Sequence, residues 1–252
     1  MWDPDQYEKF KAERSAPFED LIQLVNVREG MDVIDLGCGT GELTRRLADM
    51  LPNSTTVGLD SSEEMLARSA ERVREGLTFR TGVIEDVEGE FDLVFSNAAI
   101  QWVDDHERLV PALLSLVRSG GQLVVQLPSN HDSIAHRLIT ELAAQAPFKS
   151  ALKGWSRKTA VLPVERYAEL LFDNGGQEIT AFEKVYPHVL DSAADVAEWT
   201  RGTALVPYLE RLGEEWGDRF LDVYRKRLND HWPQRPVFYG FRRVLFAATT
   251  RN

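Results

Sequence analysis

The stretch Asp35-Leu36-Gly37-Cys38-Gly39-Thr40-Gly41-Glu42 stands between a short apolar run, Met31 to Leu36, and a segment with Leu43 and Leu47 four residues apart. An apolar run that ends in glycines reads as a buried strand, and the four-residue spacing reads as a helix. Glycines at 37, 39 and 41 let the backbone turn tightly and approach a ligand closely. The helix N-terminus behind them presents free N–H groups and a partial positive charge. A tight turn with no ligand is the competing reading, and the flanking strand and helix weigh against it.

The flanking segments extend the pattern. Pro17 to Val25 has helical spacing in Phe18, Leu21, Ile22 and Val25, with Ser15 as a cap. Glu42 to Met50 is a helix and Thr55 to Leu59 a second strand ending at Asp60. Ser61 or Ser62 caps a helix to about Arg74, which Gly76 ends. Leu77 to Arg80 and Phe91 to Phe95 are the third and fourth strands. Asp104 or Asp105 caps a helix to Val117, and Gly120-Gly121 turns the chain into a fifth strand, Gln122 to Leu127. Strands alternating with helices over short connections require right-handed crossovers and a parallel sheet covered on both faces. Two further strands follow, near 178–189 and 240–249, for seven in all. The reading is one α/β domain with a Rossmann-like core at 17–130 plus those late strands. Residues 146–176 and 192–235, rich in Trp and Tyr, form a small helical cap.

Composition narrows the function. Of 252 residues, 40 are acidic and 29 basic, a net charge of −11 that repels a nucleic-acid backbone or an anionic membrane. Cys38 is the single cysteine, so no internal disulfide forms and a reducing compartment is expected. No apolar run reaches the roughly 18–20 residues of a membrane helix. The N-terminus, Met-Trp-Asp-Pro-Asp-Gln-Tyr-Glu-Lys, lacks a signal-peptide pattern, and a cytoplasmic protein is expected. Histidines at 106, 131, 136, 188 and 231 show no helical ligand spacing, and no metal is expected.

The ligand follows from charge and spacing. A dinucleotide fingerprint places its third glycine one residue later, where Glu42 stands. Asp35 would oppose a pyrophosphate and suits a cationic ligand, which favours S-adenosylmethionine with its sulfonium and ammonium. Asp60 ends the second strand where an acid can accept from both ribose hydroxyls; a plain helix cap is the alternative. A nicotinamide-dependent oxidoreductase is the rival class.

With these motifs in place, residues 30–128 resemble a class I S-adenosylmethionine-dependent methyltransferase. The resemblance implies that Gly37 and Gly39 hold the methionine portion beside Asp35, that Asp60 holds the ribose, and that Met65 lies under the adenine, with Ser61 also in the cofactor set. The family often carries Gly-Asp-Ala-Glu-Asp after the third strand; here Val83 replaces the first acid in Gly82-Val83-Ile84-Glu85-Asp86, leaving the Ile84 backbone as the contact. The stretch Ser96-Asn97-Ala98-Ala99-Ile100-Gln101-Trp102 follows the fourth strand, on the edge that faces the transferred methyl in this fold. Asn97 joins the cofactor set, and Trp102 offers a cation–π contact of about 1 kcal/mol to a sulfonium. Ordinary packing of a helix start is the competing reading of Gln101-Trp102. Pro-Pro is absent there, unlike enzymes acting on base amines.

The similarity continues outside the core. Tyr7, Phe10 and Glu13-Arg14-Ser15-x-Pro17, then Val125-Gln126-Leu127-Pro128-x-Asn130, Trp199, Pro207-Tyr208-Leu209 and Phe241-x-Arg243-x-Leu245-Phe246 are arranged as in the trans-aconitate methyltransferases. That resemblance implies methyl transfer to a carboxylate of trans-aconitate, giving a monomethyl ester. Such an acceptor, with a pKa near 4, is already ionised at neutral pH, so no catalytic base is expected. A polycarboxylate does need cations and donors. Arg14, Arg201, Arg242 and Arg243 are the candidates, with Tyr7, Tyr208 and Tyr239 as hydroxyl donors and Gln101 and Trp199 beside them. Arg14 is alternatively assigned to the cofactor's own carboxylate. The partner is thus a small-molecule carboxylate, and the sequence leaves the oligomeric state open. A malonyl–carrier-protein methyltransferase is the nearest rival within the class; its acidic carrier would need a basic surface.

Overall fold

The computed structural model describes residues 11–251, with side chains from residue 16 onward. Seven strands form one sheet: β1 (Asp32–Leu36), β2 (Thr55–Asp60), β3 (Leu77–Thr81), β4 (Phe91–Asn97), β5 (Val117–Pro128), β6 (Gln177–Leu190) and β7 (Val237–Thr249). Their order is β3-β2-β1-β4-β5-β7-β6. The first five pair in parallel, and β7 lies antiparallel to β5, Gln126 opposite Leu245. The order reverses between β1 and β4, so their carboxyl ends mark the place where an open α/β sheet binds its ligand.

The chain divides into two compact units. Among the described residues, a sheet unit comprises Ala16–Pro128, Ala160–Lys184 and 243–251; a helical unit comprises 11–15, Ser129–Thr159 and Val185–Arg242. In the sheet unit, successive residues of each strand face opposite sides. Ile34, Val94, Leu123, Val125 and Phe246 pack with the helices His106–Ser115 and Val164–Asp173. Val33, Leu93, Phe95, Val124 and Leu245 pack with Phe18, Leu21 and Leu47. Strands covered on both faces account for the continuous apolar runs in the sequence. The helical unit has its own core, built around Trp199, Tyr208, Phe220 and Tyr224 from the helices Ala193–Arg201 and Val206–His231. That last helix is interrupted at Gly213, whose φ of 69° leaves the helical region.

Several boundaries differ from the sequence reading. The helix expected from Pro17 with Ser15 as its cap spans Lys11–Ile22, with Pro17 inside it. An internal proline costs a helix about 3 kcal/mol. Phe18 and Leu21, both fully buried, offset it, each worth about 1.5–3 kcal/mol. The helix expected to reach Arg74 stops at Ala67 and gives way to a 3-10 turn, Ala70–Arg72; neither piece buries a residue, so no apolar stripe sustains it. Ser62, not Ser61, is its cap, accepting from the Met65 N–H at 3.3 Å. Asp105 precedes the helix His106–Ser115 in a left-handed conformation, and its side chain makes no capping bond. Gly120-Gly121 does not begin β5 but forms an irregularity within it: a Cβ at Gly121 would sit 2.9 Å from the Asp92 carbonyl. The cap boundaries also shift. Val164–Asp173 buries Tyr167, Leu170 and Leu171 in the sheet unit, whereas Ile134–Ala143 belongs to the helical unit.

Candidate cofactor and methyl-acceptor site

At the end of β1 the chain turns through three glycines with positive φ: Gly37 at 78°, Gly39 at 56° and Gly41 at 75°. Gly37 is constrained twice, because a Cβ there would also lie 2.1 Å from the Ala99 Cβ. Only a glycine lets the loop pass this close to the segment after β4. The loop is tied to β2 by the Gly37 and Cys38 amides, which donate to the Leu59 carbonyl at 2.8 and 2.9 Å. Asp60 then accepts from the Gly39 N–H at 2.8 Å through one carboxylate oxygen and from the Ser62 N–H at 2.9 Å through the other. Each oxygen keeps a second lone pair for a hydroxyl donor. A Cβ at Gly39 would sit 3.1 Å from the Met65 methyl, so Met65 closes the outer side of the loop.

Asp35 is almost wholly buried and accepts from the Thr44 hydroxyl at 2.6 Å. Burial pushes its pKa up to about 7, against the Thr44 hydrogen bond, and the Asp60 carboxylate raises it further. Cys38, on the same turn, has its thiol pKa raised by burial and by the Asp35 and Asp60 charges, so it is a packed thiol and not a thiolate. At the end of β4, the Ser96 hydroxyl donates to the Leu36 carbonyl at 2.9 Å. Beside it, the buried Asn97 Oδ1 has no donor among the described residues. Ala98 takes a φ of 57°, a left-handed conformation disfavoured for alanine, and its N–H donates to the Gln126 carbonyl at 2.8 Å. Gln101 Nε2 donates to the Ala98 carbonyl at 2.7 Å.

An acceptor lacking a donor, a buried acid and a backbone that no side chain may fill all fit a ligand with an ammonium head and a ribose. The sheet unit thus brings Asp35, Gly37, Gly39, Asp60, Met65 and Asn97 to adjoining strand ends. Ser61 is exposed beside them, and Ile84 opens a 3-10 turn after β3 and packs on the sheet core. Trp102 is half exposed.

The expected acceptor residues of the helical unit have diverse settings. Trp199 is buried against Tyr239, His188 and Phe241. Tyr208 is buried too, stacked on Phe220, and its hydroxyl accepts from the Arg157 N–H at 3.2 Å. The buried Tyr239 hydroxyl has no hydrogen-bond partner among the described residues, and burial raises its pKa. Arg201 is half exposed and faces Glu198 at 3.7 Å. Arg242 is clasped through its backbone: its N–H donates to Asn130 Oδ1 at 2.8 Å and its carbonyl accepts from Asn130 Nδ2 at 2.9 Å. Arg243, in the sheet unit, is buried and donates to Gln126 Oε1 at 3.2 Å. Tyr7 and the side chain of Arg14 lie outside the described residues. Sequence reasoning missed Thr44 and Ala99. A hydroxyl one turn into the helix behind a buried acid was the available signal for the first; nothing local marked the second.

Among the described residues no helix is long and apolar enough to cross a membrane, and no group of three His, Cys, Asp or Glu side chains could hold a metal ion.

Residues 27–180 match the family model of a methyltransferase domain. The chain is 49% identical over 254 residues, 98% of each chain, to a trans-aconitate 2-methyltransferase of Deinococcus radiodurans. It is 36% identical to one from Mycobacterium tuberculosis, covering 98% of this chain and 96% of that one. Among solved structures, the YcgJ protein of Bacillus subtilis superposes with a TM-score of 0.63 at 12% identity, covering 94% of this chain and 99% of that one. A Haemonchus contortus phosphoethanolamine N-methyltransferase 2, solved with S-adenosyl-L-methionine, does so at 0.59 and 18% identity, over 94% and 53% of the two chains. These matches set the nicotinamide reading aside: the chain belongs to the trans-aconitate 2-methyltransferase family, on the Rossmann-like fold of the class I methyltransferases.

Proposed function

We infer that this protein transfers a methyl group from S-adenosylmethionine to a carboxylate oxygen of trans-aconitate, giving its monomethyl ester. The observation that carries the reading is 49% identity across 98% of both chains to a protein of that name. S-adenosylmethionine supplies a methyl carbon bound to a sulfonium leaving group.

This chain's residues have few tasks. Asp60 accepts the ribose hydroxyls through its remaining lone pairs, while its bonds to the Gly39 and Ser62 amides keep the carboxylate fixed. Asp35 and Asn97 Oδ1 take the ammonium end, one by charge and the other as an acceptor with no donor among the described residues. Gly37 and Gly39 leave the methionine portion room against the backbone. Met65 and the Ile84 backbone bound the adenine. Ser61, exposed beside Asp60, contributes to the ribose edge.

The acceptor carboxylate is ionised at neutral pH and attacks without a base. What remains is to strip water from one oxygen and hold it in line with the methyl carbon, about 3 Å away. Gln101 and Trp102 are the sheet unit's residues for that task; Arg242 and Tyr239 are the helical unit's candidates for binding the acceptor, and Arg14 and Tyr7 are candidates by family resemblance alone. Trp199 and Tyr208 pack in the core of the helical unit, and Arg201 faces Glu198. The expected location is cytoplasmic.

Incubating purified protein with methyl-labelled cofactor and trans-aconitate tests the reading. A labelled product that releases methanol in mild alkali is expected. Label that stays bound after alkali, or none transferred to any small di- or tricarboxylate, overturns it.

A further inference from the structure

The loop that borders the transferred methyl is held from below by a residue that takes no part in the chemistry above. His106 is almost completely buried; its Nε2 lies 2.8 Å from the Ile100 carbonyl and its Nδ1 2.6 Å from the Tyr167 hydroxyl. The Tyr167 oxygen also accepts from the Leu162 N–H at 3.1 Å. A carbonyl only accepts, so Nε2 carries the proton. Nδ1 is therefore an acceptor, and the Tyr167 O–H donates to it. Every proton in the row Leu162–Tyr167–His106–Ile100 is thereby placed. Burial lowers the His106 pKa against its backbone bonds and the Asp104 and Asp105 charges, which favours this neutral tautomer. The groups facing the imidazole are Tyr167 from the neighbouring helix and Asp104 and Asp105 from its own N-terminal turn.

The row ends at a carbonyl of the loop itself, and the loop is also held by the Trp102 N–H donating to the Ala99 carbonyl at 3.1 Å and by Gln101 Nε2 donating to the Ala98 carbonyl. Upstream, Ala98 is fixed by Gln126, and Ala99 is packed against Gly37. Downstream, Ile100–Trp102 is a single 3-10 turn, too short to hold itself. Its Ile100 carbonyl accepts from the Val103 N–H at 2.9 Å and from His106. The strained Ala98 conformation gives the loop an incentive to relax if that anchor is lost.

We propose that His106, oriented by Tyr167, is a positioning residue for methyl transfer: through the Ile100 carbonyl it fixes the turn that places Gln101 and Trp102 beside the acceptor. The acceptor part of this statement rests on the function proposed above. His106→Leu removes the donor. His106→Gln keeps an N–H donor at comparable reach. Tyr167→Phe keeps the stack on Phe246, at 4.7 Å, and removes only the O–H.

The test combines steady-state kinetics with amide hydrogen exchange of the whole protein. His106→Leu is expected to lower kcat for trans-aconitate about 10- to 100-fold, the scale of a misplacement of about 1 Å. Its affinity for S-adenosylmethionine should fall less than tenfold, because the upstream anchors remain and the Trp102 cation–π contact is by itself worth less than a factor of about ten. Exchange at residues 99–103 should quicken at least tenfold while residues 37–41 stay as they were. His106→Gln should recover most of kcat, and Tyr167→Phe should show the same pattern more weakly. Equal impairment of the Leu and Gln variants, a parallel loss of cofactor affinity, or unchanged exchange at 99–103 overturns the proposal. If wild-type protein binds the cofactor yet leaves trans-aconitate unmethylated, the acceptor assignment falls, and the exchange comparison alone judges His106.

Discussion

Asp35 couples cofactor binding to a proton. Burial, and to a lesser degree the Asp60 carboxylate, raises its pKa from 3.8 to about 7 against the single hydroxyl bond from Thr44. At about 1.36 kcal/mol per pH unit, ionising it in the folded protein costs about 4 kcal/mol more than in the unfolded chain. The folded-state pKa is the higher one, so this contribution to stability is full below about pH 4 and is lost as the pH rises through 7. A ligand bringing an ammonium to Asp35 reverses the preference and expels the proton. At pH 6.0, where about nine-tenths of Asp35 is protonated, binding of S-adenosylmethionine should release close to one proton. Isothermal titration in buffers of different ionisation enthalpy measures this number directly. Asp35→Asn keeps the Thr44 bond, should bind more weakly and should release none; its unliganded form should melt higher than wild type at pH 8. Zero release from wild type at pH 6.0, or equal release from the variant, would refute the reasoning.

Three further substitutions probe separate parts of the account. Gly37→Ala combines a φ of 78° with a 2.1 Å overlap on Ala99, so cofactor affinity should fall at least tenfold in equilibrium binding; unchanged affinity would show that the loop can move aside. Asn130→Ala removes both bonds to the Arg242 backbone and should destabilise the protein by about 1–3 kcal/mol in urea unfolding, since two neutral hydrogen bonds are worth roughly that. Tyr239→Phe deletes a buried hydroxyl that lacks a partner among the described residues, so the free protein should melt at the same temperature or higher. If that hydroxyl serves the acceptor, KM for trans-aconitate rises in the same variant; a lower melting point with unchanged KM would make the tyrosine purely structural.

The alternating strands and the glycine turn were legible because each rests on a local rule: both faces of a parallel strand are buried, and glycine adopts the positive φ values at 37, 39 and 41 without strain. Asp60 was legible for the same reason, since its place at the end of β2 follows from strand length. What stayed hidden depends on contacts distant in sequence. Pro17 looked like a helix start because nothing nearby reveals that Phe18 stacks edge-on against Phe95 at 6.1 Å and steadies a helix around the proline. The Gly120-Gly121 pair looked like a turn because its role, close passage to the Asp92 carbonyl, is set by a residue on another strand. His106 read as one of five scattered histidines; its meaning lies in Tyr167, 61 residues away. In the helical unit, only the family resemblance and their residue type point to Trp199 and Tyr208 as acceptor contacts. Aromatic residues serve cores and sites equally well. Tyr208 and Trp199 prove to be packed in the core, and Asn130, quoted only as part of a motif, clasps the Arg242 backbone.

Direct attack of a carboxylate oxygen on the methyl carbon leaves an isotopic record. Trans-aconitate labelled with oxygen-18 in its carboxyl groups, incubated with the protein and S-adenosylmethionine, should give a monomethyl ester that keeps both heavy oxygens of the esterified group, as read by mass spectrometry. An ester that has lost one of them, or a labelled acid recovered unmethylated while the protein binds the cofactor, would contradict the account.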